Sequence, residues 1–262
     1  RAILAACGPG NEPIALLFEN GIEVAGAIFG VLKAGKFFVI LDPSWPTDRI
    51  TFILDHCEAR LLVTNSAALR SLEPANAVSK PVLNLDTIED NDRPENLGLL
   101  QRPEDIASIL YTSGSTGVPK GVVDNHLVNL HHALLDDVTS QDRISLVHSV
   151  AFGSGRAEIF QSLLNGATLL TYDLKTEGLH HLAEWLNEQQ ITICHLPPLA
   201  FHKLAEIHIS RSHLPTVRKL RLSGAPVTRI EFERYKEIFP ASTCLQINMG
   251  STETRRICGA IL

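Results

Sequence analysis

The stretch "IEVAGAIFGVLKAGKFFVILD", residues 22–42, changes period in its middle. Residues 22–35 are apolar nearly all round, as a helix buried on most of its circumference must be. Lys33 falls in the last turn of that helix, and Gly35 is the expected stop. The run "KFFVILD" then carries uninterrupted apolar residues into the turn "DPSWP", the pattern of a strand buried on both faces. "TDRITFILDHCEA" follows as a second helix, with Thr47 or Asp48 at its start, and "RLLVT" as the next strand. Strands separated by helices predict a parallel or mostly parallel sheet with helices on its faces.

Outward from this unit the alternation pauses and resumes. Residues 65–104 are polar and proline-bearing, with "PVLNL" as a short strand, and mark a boundary between two α/β subdomains, 1–104 and 105–262. From residue 106 strands are expected at "IASILYT", "GVVD", "ISLVHSV", "ATLLTY", "ITICHL", "VRKLRLS" and "TCLQIN". Helices are expected at "HLVNLHHALLDD", "AEIFQSLLNG", "GLHHLAEWLNEQQ", "PLAFHKLAEI" and "TRIEFERYKEIF". No repeat or low-complexity tract interrupts them.

The 262 residues are 45% apolar and 20% charged with a net charge of −6, which suits a soluble globular chain. No basic stripe points to nucleic acid and no polybasic amphipathic segment to a membrane surface. The most apolar stretches are too short to span a bilayer. Cys7, Cys57, Cys194, Cys244 and Cys258 are scattered, odd in number and form no C-x-x-C pair, so they read as small hydrophobes in a reducing cytoplasm. The chain begins at Arg1 without an initiator Met or signal peptide and ends in the apolar "CGAIL", so it reads as an internal piece of a longer protein. The pairs His131-His132 and His180-His181 fall on expected helices and lack the spacing of metal ligands.

The second informative stretch is "YTSGSTGVPKG", residues 111–121. Gly114, Gly117 and Gly121 let the backbone turn and approach a ligand closely. Thr112, Ser113, Ser115 and Thr116 set hydroxyls beside a row of backbone N–H groups, and Lys120 adds positive charge. Together they make an anion or phosphate cradle. No G-K-[ST] occurs, so it is not a Walker A loop. A mobile hairpin loop has the same composition, and composition does not separate the two.

The order of residues adds a resemblance. T-S-G-S-T-G-x-P-K-G closely resembles the phosphate-binding signature of the adenylate-forming (ANL) superfamily: acyl-CoA synthetases, luciferases and the adenylation domains of nonribosomal peptide synthetases. "VAGAIFGVLKAGKFFVILDPSWPTDRI" resembles the upstream signature of peptide-synthetase adenylation domains. "AFGSGRAEIFQSLLNGATLL" resembles F-D-x-S-x-x-E-I-F-x-x-L-L-x-G-A-x-L, "LRLSGAPV" the strand and turn beside adenine, and "INMGSTET" N-x-Y-G-P-T-E-T. The likeness covers essentially the whole chain. It implies the large N-terminal domain of that fold, two helix-flanked, mostly parallel sheet subdomains. The small C-terminal domain is absent; it, the ribose-binding aspartate, the hinge and a late catalytic lysine would lie beyond Leu262. Without them the fragment is expected to bind ATP weakly and turn over slowly or not at all.

The implied reaction joins a carboxylic acid to Mg-ATP, giving an acyl-adenylate and pyrophosphate. The acyl group then passes to the phosphopantetheine thiol of a carrier protein. By resemblance, Thr112, Ser113, Gly114, Ser115, Thr116, Gly117 and Lys120 hold the β- and γ-phosphates. Thr252 contacts the α-phosphate and Glu253 ligates or orients Mg²⁺; with Thr116 and Lys120 these form the implied catalytic set. Gly224, Ala225, Asn248, Met249, Gly250 and Ser251 surround the nucleotide. Gly153, Ser154, Ala157, His195, Arg221, Ser223, Asn248, Arg256 and Ile257 line the acyl pocket.

The chain departs from the family pattern at three places. Met249 replaces an aromatic and Ser251 a proline. Gly153 replaces the aspartate that pairs with an α-ammonium group in α-amino-acid enzymes, which sets β-amino, hydroxy, keto and aryl acids level with α-amino acids. The pocket is polar, with two arginines and a histidine, which suits a second anionic or hydrogen-bonding group on the substrate; alternatively the arginines point to solvent or pair with structural carboxylates. Glu253 has the further reading of a helix-start carboxylate, and Gly224 that of an ordinary turn glycine. The alternatives for the whole chain are an acyl-CoA or acyl-carrier-protein ligase and a degenerate, non-catalytic domain. A generic dinucleotide binder fits less well, since no G-x-G-x-x-G follows an early strand.

Overall fold

The computed structural model describes residues 1–72, 79–88, 95–114, 117–207 and 214–262, and for His132 only the backbone. The chain divides into two compact units, Arg1–Leu130 and His131–Leu262.

In the first unit α1 (Ala2–Cys7) precedes β1 (Pro13–Leu17), α2 (Ile22–Lys33), β2 (Phe37–Leu41), α3 (Thr47–His56), β3 (Leu61–Thr64), α4 (Ser66–Arg70), β4 (Val82–Asn84), β5 (Ile106–Ser113) and β6 (Pro119–Asn125). The strands form one sheet in the order β4-β3-β1-β2-β5-β6. It is parallel up to β5, and β6 returns antiparallel. The apolar run "FFVIL" is β2, buried at every position, as the interior of a parallel sheet requires. Each fully buried Phe, Ile or Leu here contributes roughly 1.5–3 kcal/mol of transfer free energy. Gly35, at φ 73°, ends the preceding helix in the left-handed region. Thr47 is the first residue of α3 rather than its cap, which is Pro46. Lys36 is fully buried and pairs with Glu12 while donating to Gly10 O at 3.1 Å.

The expected boundary after residue 104 falls instead after Leu130. The reason is a non-local ladder. β5 lies beside β2, with Phe38 opposite Ser108 and Val39 opposite Ile109, so the glycine loop belongs to the first sheet and not to the second unit.

The second unit begins within α5 (His126–Leu134) and continues as β7 (Arg143–Leu146), α6 (Gly153–Leu164), β8 (Thr168–Thr171), α7 (Leu182–Glu188), β9 (Ile193–Leu196), α8 (Pro198–Glu206), β10 (Lys219–Leu222), α9 (Arg229–Ile238), β11 (Cys244–Ser251) and β12 (Arg255–Ile261). Its sheet runs β12-β11-β10-β9-β7-β8, parallel except for the β11–β12 hairpin. Thr228 caps α9 in a reciprocal capping box with Glu231, a local signal that fixes the helix start. The apolar core joins Cys194, Leu196, Leu220, Leu222 and Leu245 of the strands to Leu182, Leu186, Phe201, Leu204, Tyr235 and Ile238 of the helices. Side chains alternate along a strand, so His195, Arg221 and Gln246 fall on the opposite face. They also lie in register across three neighbouring strands. His180 and His181 are exposed in the turn ahead of α7, not on the helix as expected. The cysteines are free; burial pushes the Cys194 thiol up to about 12, which makes it an inert core group. Among the described residues no helix is long and apolar enough to cross a membrane.

Candidate active site

The glycine loop closes the β5–β6 hairpin, with Thr112 opposite Lys120 and Ser113 opposite Pro119. A β-carbon built on Gly114 would stand 2.4 Å from Val118 O, so no other residue fits without moving the backbone. Gly117 has φ 81° and donates its N–H to Gly114 O at 2.8 Å. Gly121 packs where a side chain would meet Ile109 at 2.9 Å. All three glycines are thus required by geometry: one by sign of φ, two by close approach. Lys120 is exposed on β6, and Tyr111, opposite Gly121, is anchored by a 2.7 Å hydrogen bond to His56 Nδ1. Ser115 and Thr116 lie outside the described residues.

The second unit carries the other expected residues. Gly224, φ 90°, and Ala225 form an exposed turn after β10. Asn248, Met249, Gly250 and Ser251 end β11, and Thr252 and Glu253 occupy the turn into β12. Glu253 therefore starts no helix, which removes that reading of it. The turn is held by Ser251 Oγ and Thr254 Oγ1, 3.0 Å apart. Arg255 takes φ 59°, and its carbonyl lies 1.8 Å from any β-carbon built on Gly250, so Gly250 is obligatory in this bulged hairpin.

The face of α6 that meets the sheet is polar. Ser154, Glu158 and Gln161 are spaced i, i+4, i+7 and so lie on one side of the helix. Ser154 Oγ is 3.3 Å from Ser223 Oγ. Glu158 Oε1 accepts from His195 Nδ1 at 2.8 Å and from His148 Nδ1 at 3.2 Å, and His195 Nε2 lies 2.7 Å from Ser223 Oγ. The three ligand-type side chains His148, Glu158 and His195 lie close enough together to suit a metal, but their contacts are those of direct hydrogen bonds. Burial pushes Glu158 up, yet the bonds from His148 and His195 outweigh it and hold the carboxyl below its ordinary value. Burial, aided by His148, pushes His195 down to about 4.

Farther along the same face Arg221 donates to Gln161 Oε1 at 2.6 Å and lies 3.4 Å from Asp136. Arg256 donates to Asp136 at 2.8 Å. Both arginines of the expected pocket thus pair with one carboxylate. Gly153 opens α6, Ala157 lies partly buried on it, and Ile257 is exposed on β12. The residues that sequence reasoning passed over are Asp136, His148 and Glu158. The i, i+4, i+7 polar spacing could have marked Glu158; Asp136 carried no local signal.

Gly155 locks this helix to the segment that carries His148. A β-carbon there would stand 2.6 Å from Ser149 O and 2.7 Å from His148 O. Gly155→Ala is expected to destabilise the protein by about 1–3 kcal/mol through overpacking, read as a lowered urea midpoint at unchanged slope.

Two helix-flanked, mostly parallel sheets define an α/β fold, with the glycine hairpin in the first unit and the polar groups of β9, β10 and β11 in the second. The profile of the AMP-binding enzyme family matches residues 2–261, and the chain belongs to that family. It is 34% identical to surfactin synthase subunit 2 of Bacillus subtilis (strain 168), over 93% of this chain and 7% of that protein. It is 30% identical to tyrocidine synthase 1 of Brevibacillus parabrevis, over 100% of this chain and 24% of that one. The fold matches the Klebsiella oxytoca NpsA N-terminal subdomain in complex with 3-hydroxyanthranilyl-AMSN, with a TM-score of 0.84 and 22% identity over 100% of this chain and 65% of that one. The chain therefore spans less than a quarter of either synthase, and about two thirds of the solved subdomain.

Proposed function

We propose that this chain activates a carboxylic acid with ATP, forming an acyl-adenylate and releasing pyrophosphate, and that the acyl group passes to a carrier-protein phosphopantetheine thiol. The observation that carries the reading is the hairpin. Its signature is unbroken from Thr112 to Gly121, and Gly114 lets the turn close so tightly on Val118 O that no side chain fits there. Membership of the AMP-binding family supports the same reading, and the peptide-synthetase relatives support the carrier thiol as acceptor.

In this reading Thr112, Ser113, Gly114, Ser115, Thr116, Gly117 and Lys120 hold the β- and γ-phosphates with N–H, hydroxyl and ammonium donors. Thr252 serves the α-phosphate. Gly224, Ala225, Asn248, Met249, Gly250 and Ser251 take the nucleoside side. Glu253, a carboxylate in an exposed turn, suits Mg²⁺, a hard cation that takes one or two carboxylates with phosphate oxygens and water. The cation, when bound, neutralises phosphate charge. The chain's own contribution is positioning and charge stabilisation, the two terms that dominate transfer at phosphorus.

The test is ATP–pyrophosphate exchange by the protein carrying this chain, with Mg²⁺ and α-amino, β-amino, hydroxy, keto, aryl and dicarboxylic acids. Exchange is expected with one class and should fall about 10²-fold in Glu253→Gln and in Lys120→Ala. A flat response from folded protein would favour a non-catalytic domain.

A further inference from the structure

The carboxylate of Glu158 sets the direction of every hydrogen bond leading from it. Ionised, it accepts and cannot donate. Its Oε1 is 2.8 Å from His195 Nδ1 and 3.2 Å from His148 Nδ1, so both rings carry a proton on Nδ1. His195 is neutral near pH 7, since burial and His148 hold it down to about 4. Its Nε2 is then a bare acceptor. Ser223 Oγ, 2.7 Å away, must donate to that nitrogen and keeps only lone pairs. Ser154 Oγ, 3.3 Å from Ser223 Oγ, donates to one of them. The protons of the chain Ser154, Ser223, His195, Glu158 all point inward. Ser154 is the partly exposed member and the other three are buried. What the outer end offers a ligand is lone pairs.

A guanidinium group stands beside this end. Arg255 Nη1 lies 3.9 Å from where a β-carbon on Gly153 would stand, next to Ser154 in the chain. A cation there disfavours an ammonium group, while a neutral donor meets no such penalty. Arg221 and Arg256 share Asp136, and Glu158 faces the same buried surface. These two guanidinium groups are thus already engaged with a carboxylate of the protein.

We propose that this inward-pointing chain selects carboxylic acids bearing an uncharged hydrogen-bond donor, a hydroxyl or an arylamine, with Glu158 and His148 as positioning residues that set its polarity. The inference rests on the acid-activating reading above.

Two measurements test it. The first is the ¹⁵N spectrum of His195 at pH 7, which reads the tautomer without any turnover. A protonated Nδ1 and a bare Nε2 are expected; a protonated Nε2 overturns the inference whatever the activity. The second is pyrophosphate exchange with matched acids. Starting sets are 3-hydroxybenzoate, 3-aminobenzoate and benzoate, and 2-hydroxy-3-methylbutanoate, 3-methylbutanoate and valine. They are extended to the hydroxy, amino and unsubstituted forms of whichever acid is active in the panel. The hydroxy acid should exceed its unsubstituted partner at least tenfold, and the ammonium form should gain nothing over that partner. Glu158→Gln removes the charge that fixes the direction of the chain, since its amide can either accept from or donate to His195 Nδ1, and the preference should weaken. Ser223→Ala, which leaves the buried carboxylate intact, should abolish the preference as well and covers the case in which Glu158→Gln does not fold. Exchange at equal rates for hydroxy and unsubstituted acids overturns the inference alone. Absence of exchange with every acid overturns the acid-activating reading and the inference with it.

Discussion

Asp136→Asn is expected to remove about 3–5 kcal/mol of stability from the His131–Leu262 unit. Asp136 is the hub of the buried polar face. One oxygen accepts from Arg256 at 2.8 Å and Gln246 at 3.1 Å, and the other from Gln161 at 2.9 Å, with Arg221 at 3.4 Å. The side chains of Asp136 and Arg221 are only 8% and 2% exposed. Burial pushes the carboxyl up, but Arg221 and Arg256 together hold it below the usual carboxylate range. Asparagine keeps the volume and removes the charge, so Arg221 stays buried without its counterion. The change should appear in a urea titration followed by far-UV circular dichroism and by the fluorescence of Trp185, which packs on Tyr172 within this unit. Combining it with Arg221→Met should restore most of the loss, because the penalty belongs to the orphaned cation. A loss below about 1 kcal/mol would mean that Arg221 reaches water in solution, contrary to its burial.

The second large effect is on pH. His195 titrates near 6.5 when unfolded and is pushed down to about 4 when folded. Burial is the main cause, and His148 and Arg221 act in the same direction while Glu158 opposes them. Between these values the unfolded chain binds a proton that the folded protein refuses. Stability is therefore full above about pH 6.5 and declines as pH falls toward 4, by about 3 kcal/mol. Glu158, held low in the fold, adds a further loss in the same direction at still lower pH. His195→Gln should flatten the upper part of this profile. His126 of the first unit, also pushed down by burial, keeps a smaller slope of the same sign. An unchanged slope in the variant would show that His195 is not the group refusing the proton.

Local signals carried most of the fold. The helix-then-strand period of residues 22–42, the capping residues of α9 and the glycine hairpin are each decided by near neighbours in the chain. What was not legible depends on distant pairing. β1 lies in the middle of its sheet, and Pro13–Leu17, as long as β2, is nonetheless absent from the expected strands. β12 forms only by pairing with β11, so its apolar residues read as a plain chain end. The unit boundary moved because β5 pairs with β2 across an intervening segment of more than sixty residues. The site divides the same way. His195, Arg221 and Ser223 were named from motifs, whereas Asp136 and His148 come from connections whose sequence gives no hint of what they face. The pairing of Arg221 and Arg256 with Asp136 was one of the open readings, and the contacts of Asp136 bear it out.

That register has a meaning for folding. Along β10 the order Lys219, Leu220, Arg221, Leu222 alternates charge with hydrocarbon. Sliding the strand by a single position would thrust Arg221 among Phe201, Tyr235 and Phe239 and bring leucines against Asp136 and Gln161. Each such slip strands a buried charge at several kcal/mol. A purely aliphatic sheet would forgive the error; this one rejects it. The buried ions thus act as alignment marks, excluding misassembled sheets that hydrophobicity by itself would tolerate.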